Sequence, residues 1–252
     1  MNQYTNEDGR KRVVIENVQP TVDGGRFPAK RTIGDMVHVT ADIFADGHDS
    51  IHATLLFRQK TDSEWSERPM QPGVNDAWSA EFRVTELGRC YFRIRAQSDH
   101  FGTWRRDLQK RIAAGEDAAV DYQIGANLLE TAAARIPAPH SSWLAGEIAV
   151  LRSNAGLDEK RSRALADGLS TLLSRFPDLT LASLSEQEGE IVVDPVRARF
   201  SSWYEFFPRS AGADGNHGSF ADCEVLLPEI AAMGFDVVYL PPIHPIGFQF
   251  RK

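Results

Sequence analysis

The fold is decided by two stretches near the end of the sequence, Phe200-Ser-Ser-Trp-Tyr-Glu-Phe-Phe-Pro-Arg-Ser210 and Gly234-Phe-Asp-Val-Val-Tyr-Leu-Pro-Pro-Ile-His-Pro-Ile-Gly247. The aromatic-rich residues 201–207 predict a strand that ends at a proline. Residues 235–240 form an almost unbroken apolar run, which is typical of a parallel strand buried on both faces. Residues 220–233 predict a helix between them, and one side of this helix should bury Val225, Leu226, Ile230 and Met233.

A strand, a helix and a buried strand in this order predict the opening βαβ unit of an α/β sheet or barrel. A (β/α)8 barrel needs about 250 residues, whereas about 50 residues remain after Phe200. We therefore expect residues 199–252 to be the start of a truncated (β/α)8 barrel. An active site in such a barrel lies at the carboxyl ends of the strands.

The composition is typical of a globular protein with roughly two domains, since 42% of the 252 residues are hydrophobic and 25% are charged. The net charge of -7 argues against a nucleic-acid partner. No apolar run approaches the roughly 18 residues of a membrane span, and the N-terminus lacks an apolar signal core. Cys90 and Cys223 are far apart and suggest neither a disulfide framework nor a metal site. These features predict a cytoplasmic protein without nucleic-acid or membrane partners.

Residues 12–112 show the period of two that is expected of strands. Apolar and polar positions alternate at residues 37–43, 51–57 and 78–84, and turn signals separate these runs. Several short strands at this spacing predict an N-terminal antiparallel β-sandwich. Its tryptophans are better explained as packing residues than as platforms for sugar rings, and these are Trp65, Trp78 and Trp104.

Residues 113–186 change to a helical period, beginning with apolar positions at Val120, Ile124 and Leu128. Further stripes on later helices consist of Leu144, Ile148 and Leu151, and then of Leu165, Leu169, Leu172 and Phe176. Short connections between them predict a helical bundle, whose stripes form its core and in part face a partner. Residues 187–198 form a return strand and a linker, so the bundle is expected to be an insertion in the sandwich domain.

The residues by themselves show no catalytic constellation. His48 and His52 are four apart, but they lie in a strand-like run, where this spacing does not suit a metal pair. The loop residues His217 and His244 are better candidates for contact with a ligand. Arg251 and Lys252 form a cationic pair after the second strand, where they would suit a phosphate or would simply be solvated loop charges.

Two further motifs lie in the N-terminal part of the chain, Asp23-Gly-Gly-Arg-Phe-Pro-Ala-Lys30 and Asp42-Ile-Phe-Ala-Asp-Gly-His-Asp49. With the two stretches quoted first, and with the order of sandwich, helical insert and barrel, they resemble the GlgE-type maltosyltransferases. These enzymes belong to the α-amylase-like glycoside hydrolase family 13. The Leu-Pro-Pro-Ile strand is shared by many amylase-like barrels, whereas its combination with Asp-Gly-His-Asp is more specific. The resemblance spans about residues 12–252.

This resemblance implies a transferase that moves a maltosyl unit from α-maltose 1-phosphate to the non-reducing end of an α-1,4-glucan, and that releases phosphate. The anomeric configuration is retained through a covalent glycosyl-enzyme, which requires a carboxylate nucleophile and a carboxylic acid. In the family both come from later barrel strands, so we expect no catalytic residue in this chain and no activity of the chain alone. Glu205 is expected to have a structural part. No cofactor and no metal ion are expected.

One residue that binds substrate in the family corresponds to Lys252, which would contact the sugar phosphate donor. Arg251 and His244 are possible further contacts. The resemblance also implies a homodimer, formed through the N-terminal domain and the helical insert.

Two alternative functions remain open at this point. The sandwich could be a non-catalytic module for glucan binding or dimerisation. The chain could also belong to another amylase-like glycoside hydrolase, such as a debranching enzyme, although the helical insert and the pair Arg251 and Lys252 argue against this.

Overall fold

The computed structural model of the protein describes residues 10–213, 215–244 and 249. The strands in chain order are β1 (Val13–Gln19), β2 (Ala29–Thr32), β3 (Met36–Ala45), β4 (Ser50–Gln59), β5 (Ser66–Pro69), β6 (Gln71–Pro72), β7 (Ala77–Arg83), β8 (Gly88–Asp99), β9 (Ser183–Leu184), β10 (Gly189–Asp194), β11 (Trp203–Glu205) and β12 (Val237–Tyr239). The helices are α1 (His100–Ala114), α2 (Ala119–Ala133), α3 (His140–Arg152), α4 (Leu157–Ala164), α5 (Asp167–Arg175) and α6 (Phe220–Ala232). No helix in these ranges is long and apolar enough to cross a bilayer.

The described residues fall into two compact units. The first unit contains the described part of residues 1–29 together with residues 36–83 and 89–192, and the second contains residues 30–35, 84–88 and 193 onward. All five helices from α1 to α5 belong to the first unit, whereas α6, β11 and β12 belong to the second.

Two sheets form the β-rich part of the chain. One has the strand order β1-β3-β7-β6, and the other has the order β2-β10-β8-β4-β5 with β9 paired to β8. The β1–β3, β3–β7, β4–β5 and β4–β8 pairs are antiparallel. The two sheets contact each other through Phe57 on β4 and Phe82 on β7, whose rings stack at 4.5 Å. The alternating residues of β3 are buried as the period of two predicts: Val37, Val39, Ala41 and Ile43.

In the segment predicted to return to the sandwich, β10 lies between β2 and β8 in the second sheet. The helices, however, begin earlier than expected, since α1 starts at His100 and not near residue 113. Its apolar residues Phe101, Trp104 and Leu108 are buried, although arginines around them hide the pattern in the sequence. The carboxylate of Asp99 caps α1 by accepting a hydrogen bond from the Gly102 amide at 2.8 Å.

The expected buried stripe on α2 is wrong. Val120 is 59% exposed and Ile124 is 46% exposed, whereas Leu128 is only partly buried. The buried face instead carries Tyr122, Gly125, Ala126, Leu129 and Ala132. The helix turns this way because Gly125 leaves space for Trp104, whose ring would lie 2.1 Å from a Cβ atom at that position. Small residues therefore decide the packing of α2 against α1, and the larger Val120 and Ile124 are left outside.

The other helices of the first unit mostly follow the sequence pattern. Leu144, Ile148 and Leu151 of α3 are buried in one cluster with Leu169 and Leu172 of α5. The helix predicted to carry Leu165, Leu169, Leu172 and Phe176 is α5, but it begins only at Asp167, so Leu165 lies in the break after the end of α4 at Ala164. Arg105 stabilises this break by donating hydrogen bonds to the Leu165 carbonyl and to Asp167 at 2.6 and 2.9 Å.

The second unit contains the expected strand, helix and parallel strand, because β11 and β12 pair in parallel and α6 lies between them in sequence. Val225 and Met233 are exposed, contrary to expectation, whereas Cys223 and Ile230 are buried. On the buried face, the Cys223 thiol lies 4.0 Å from the Pro208 carbonyl oxygen. β12 is only half-buried, and in the described residues it pairs with β11 alone. The structure thus contains one βαβ unit, while the complete barrel remains an expectation.

Candidate functional site

The candidate site is the edge at which β11 and β12 end. The register pairs Glu205 with Tyr239, and the Phe206 amide donates to the Tyr239 carbonyl oxygen at 3.4 Å. Both strands therefore leave the sheet at the same edge, and residues 206–213 and 240–244 follow from it. In a (β/α)8 barrel this edge carries the residues that contact the substrate.

Aromatic rings surround the two strands. The Trp203 and Tyr239 ring centroids are 6.3 Å apart, and Tyr204 meets Phe235 edge to face at 5.1 Å. The Arg209 guanidinium lies 5.2 Å from the Phe207 ring centroid. Trp203 and Tyr239 remain largely exposed in the described structure, so this part of the sheet offers an apolar, aromatic surface.

The loop that follows β11 is closed by two glycines. The Gly218 amide donates to the Arg209 carbonyl oxygen at 2.9 Å. A Cβ atom on Gly218 would lie 2.5 Å from the Pro208 carbonyl oxygen, and one on Gly212 would lie 2.2 Å from the Asn216 carbonyl oxygen. Side chains are therefore excluded at both positions, which fixes the path of the loop beside the candidate site.

This loop leads into a capped start of α6. The Ser219 amide and hydroxyl both donate to Asp222 at 2.7 Å, and the Asp222 amide donates back to the Ser219 hydroxyl at 3.4 Å. These hydrogen bonds, led by the one from the Ser219 backbone, hold the pKa of Asp222 below its usual value. The carboxylate thus serves the helix start.

The opposite edge of the two strands is held by Asp236. Its carboxylate accepts hydrogen bonds from the Ser202 amide at 3.1 Å and the Ser202 hydroxyl at 3.2 Å, and the backbone bond is the main reason that its pKa is lowered. Arg197 lies 3.6 Å away. Asp236 therefore aligns β11 with β12 at their amino ends, away from the candidate site.

The residues predicted from the sequence are only partly placed. His244 and His217 are both exposed in loops of the second unit. Glu205 is exposed at the end of β11, and its carboxylate has no hydrogen-bonding partner among residues 10–213, 215–244 and 249. Arg251 and Lys252 lie outside the described residues, so the proposed phosphate contact stays a prediction.

Among the residues that the structure describes, His, Cys, Asp and Glu side chains form no cluster of three or more that could hold a metal ion. His52 lies within β4 and His48 in the turn before it, so the two do not share a helix face, as expected. His52 instead lines a cavity together with Gln97 of β8. The sequence pattern did not predict this pair, because the alternating apolar residues that identify the two strands lie on their other face.

Comparison with known proteins gives the family. Residues 11–195 match the sequence model of α-1,4-glucan:maltose-1-phosphate maltosyltransferase, domain N/S. Proteins with the same enzyme name from Chlorobaculum tepidum, Methylacidiphilum infernorum and Myxococcus xanthus are 48%, 44% and 42% identical over 246, 247 and 248 residues.

These alignments cover 97%, 97% and 95% of this chain but only 37% of each relative, so the chain spans a little over one third of their length. The domain match includes both sheets and helices α1 to α5, and the relatives extend the similarity through most of the second unit. The chain therefore belongs to the α-1,4-glucan:maltose-1-phosphate maltosyltransferase family, with residues 11–195 as its domain N/S.

Proposed function

We propose that this chain is the N-terminal part of an enzyme that transfers a maltosyl unit from α-maltose 1-phosphate to the non-reducing end of an α-1,4-glucan, such as glycogen, and that releases phosphate. The observation that carries the proposal is the match of residues 11–195 to domain N/S, followed in the chain by a parallel βαβ unit. The relatives' shared enzyme name supplies both the donor and the acceptor. We place the enzyme in the cytoplasm.

The reaction we propose is a double displacement in a barrel of the glycoside hydrolase family 13 type. A carboxylate attacks the anomeric carbon while the bond to the phosphate oxygen breaks, and phosphate leaves. The acceptor hydroxyl then displaces the carboxylate and gives its proton to the general base, so the configuration is retained. We assign the nucleophile and the acid/base to residues beyond 252, and the chain by itself is inactive.

This chain contributes binding and support to that reaction. Lys252 contacts the donor phosphate as a cation, with Arg251 and His244 as neighbouring candidates. The exposed aromatic surface of Trp203 and Tyr239 supports the proposal, because an apolar βαβ unit of this kind requires further packing partners. Glu205 keeps a structural role at the end of β11.

Phosphate release tests the proposal. The 252-residue chain is incubated with α-maltose 1-phosphate and glycogen, beside a chimera in which it replaces the 246 residues that it aligns with in the Chlorobaculum tepidum relative. We expect release by the chimera and none by the chain alone. Lys252→Ala in the chimera should raise the KM for the donor at least about tenfold, because a charge-assisted contact to phosphate is lost.

The matched control is Lys110→Ala, which removes an exposed lysine of α1. Its KM should equal that of the unsubstituted chimera. An inactive chimera, or release by the chain alone, would contradict the proposal. An unchanged KM in Lys252→Ala would remove Lys252 from the donor site.

We also propose that the protein is a homodimer through the N-terminal domain and the helical insert. Val120 and Ile124 support this part of the proposal, because both are exposed and lie one turn apart on α2. The double variant Val120→Lys/Ile124→Lys should therefore lower the mass measured by light scattering to that of a monomer. Val74→Lys, which changes an exposed valine before β7, is the matched control and should remain dimeric. A double variant that stays dimeric would remove α2 from the interface.

The alternative of a glucan-binding sandwich makes a different prediction. Titration of maltoheptaose into a protein of residues 1–195 should produce no heat if this part of the chain is an assembly module. Saturable heat would instead support glucan binding by the sandwich.

A further inference from the structure

A cavity of about 150 Å³ lies in the first unit, between the second sheet and the helices that cover it. His52 on β4 and Gln97 on β8 are paired directly across the two strands and line its wall. Residues of α1, α2 and α5 complete the wall. The cavity lies in the domain N/S match and contains none of the residues that we assign to maltosyl transfer.

Gln97 is the unusual residue of this cavity. Its side chain is buried, at 4% exposure, and neither its amide nitrogen nor its amide oxygen has a hydrogen-bonding partner among the described residues. An amide offers two donors and an acceptor, and leaving both ends unpaired inside a protein is unfavourable. A bound molecule that can both donate and accept would satisfy them after a small rotation of the side chain.

Other polar groups of the cavity offer further donors and acceptors. Burial is the main cause that lowers the pKa of His52, so its imidazole is neutral near pH 7 and offers one donor and one acceptor. The Thr131 and Ser174 hydroxyls donate to the Asn127 and Thr171 carbonyl oxygens at 3.1 and 3.0 Å. Their oxygens are therefore left to accept a hydrogen bond.

The charged residues of the cavity are engaged by neighbouring groups. Asp99 accepts from the Gly102 amide at 2.8 Å, and Asp178 accepts from the Thr180 amide at 3.0 Å. Arg135 donates through Nε to the Phe176 carbonyl oxygen at 2.7 Å. Two carboxylates and one guanidinium that already have partners favour a neutral ligand over an anion.

The volume of the cavity and the apolar part of its wall further limit which ligands fit. An engineered protein cavity of similar volume holds one benzene molecule, so this cavity fits a single ring. Phe101, Leu128 and Leu173 offer apolar contact beside the polar groups. Such a combination suits a molecule with hydroxyl groups around a ring of C–H bonds. We propose that this cavity binds one small neutral polyhydroxylated molecule the size of a single sugar ring, held by Gln97 and His52.

Calorimetric titration of the full 252-residue chain with D-glucose tests the proposal. We expect saturable heat, and binding of maltotriose at least about tenfold weaker because three rings exceed the volume. Gln97→Met should weaken glucose binding at least about tenfold, while the ligand-free melting temperature stays the same or rises because the unpaired amide is gone. Thr131→Val, at the exposed rim, should weaken binding without affecting the fold.

Gln123→Met is the matched control, since this exposed glutamine of α2 bonds to Asn127 outside the cavity. It should keep the parent affinity. The proposal is overturned if glucose gives no saturable heat, if Gln97→Met and Thr131→Val bind as the parent does, or if maltotriose binds equally well. Ordered water on Gln97 would then explain the cavity. Because the readout is binding to this chain, failure of maltosyl transfer would leave the result unaffected.

Discussion

Gly125 shows how one missing side chain decides the packing of a helix. The Trp104 indole occupies the space in which a Cβ atom would stand, and its Nε1 donates to the Asp121 carbonyl oxygen at 2.9 Å, which holds the ring there. Gly125→Ala should therefore lower the free energy of unfolding by about 1–3 kcal/mol, because the core is overpacked. Urea unfolding followed by circular dichroism measures the change.

The matched control at this scale is Gly146→Ala on α3, where nothing lies within 4 Å of the added Cβ atom. This substitution should raise the free energy of unfolding by about 0.5–1 kcal/mol, because alanine is the better helix former. Equal effects of the two substitutions would contradict the assigned contact between Gly125 and Trp104.

Among the elements, α2 and α4 are joined by the buried carboxylate of Asp117. Arg161 on α4 donates to it at 2.7 and 2.9 Å, and the Tyr122 hydroxyl on α2 donates to it as well. The hydrogen bonds from Arg161, followed by the one from Tyr122, lower the pKa of Asp117 to about 2. A lowered folded-state pKa means that this stabilisation is present above the unfolded-chain pKa of 3.8, and is lost as the pH falls toward 2.

Melting temperatures between pH 2 and pH 7 test this link between elements. Asp117→Asn should lower the melting temperature at pH 7 and make its fall between pH 4 and pH 2 shallower than in the parent. Asp158→Asn removes an exposed carboxylate from the same Arg161, at 2.9 Å, and should follow the parent profile, because exposed ion pairs contribute little. Parallel acid profiles of Asp117→Asn and the parent would refute the assignment.

The elements also show what the sequence could predict. The period of two identified β3, because its apolar residues alternate with polar ones and are the buried residues of the strand. The helical period predicted that these helices exist, but it did not predict the buried face of α2. Val120 and Ile124 are more hydrophobic than Gly125 and Ala126, yet they are exposed to solvent. Packing against Trp104 decided that face, and a long-range contact of this kind is absent from a local pattern.

For the molecule as a whole, the parallel pairing of β11 with β12 agrees with the prediction from the sequence. Fewer of the residues predicted for the candidate site can be located in the structure. His244 is placed in an exposed loop, and Lys252 lies outside the described residues. The cavity at Gln97 could not be predicted, because an unpaired amide becomes recognisable only when its surroundings are known.

Solubility provides a test at the scale of the whole molecule. The second unit exposes large apolar side chains, such as Phe200 at 80% and Val225 at 77%, and β12 has a strand neighbour on one side only among the described residues. Exposed apolar surface and unpaired strand edges favour aggregation. Removal of residues 200–252 should therefore raise the concentration that stays in solution after centrifugation, and should reduce light scattering.

The truncation keeps Arg199, which forms an ion pair with Asp35 and a hydrogen bond with Thr32, so the end of the linker remains attached within its unit. In the full chain, Phe200→Ser/Val225→Ser should recover part of the gain, whereas Val74→Ser in the first unit should recover none, although Val74 is 81% exposed. A difference between these variants would show that aggregation depends on the apolar surface of the second unit and not on any single exposed apolar residue. A truncated protein that is less soluble than the full chain would show that residues 200–252 protect the first unit, and the exposed surface would then need a different explanation.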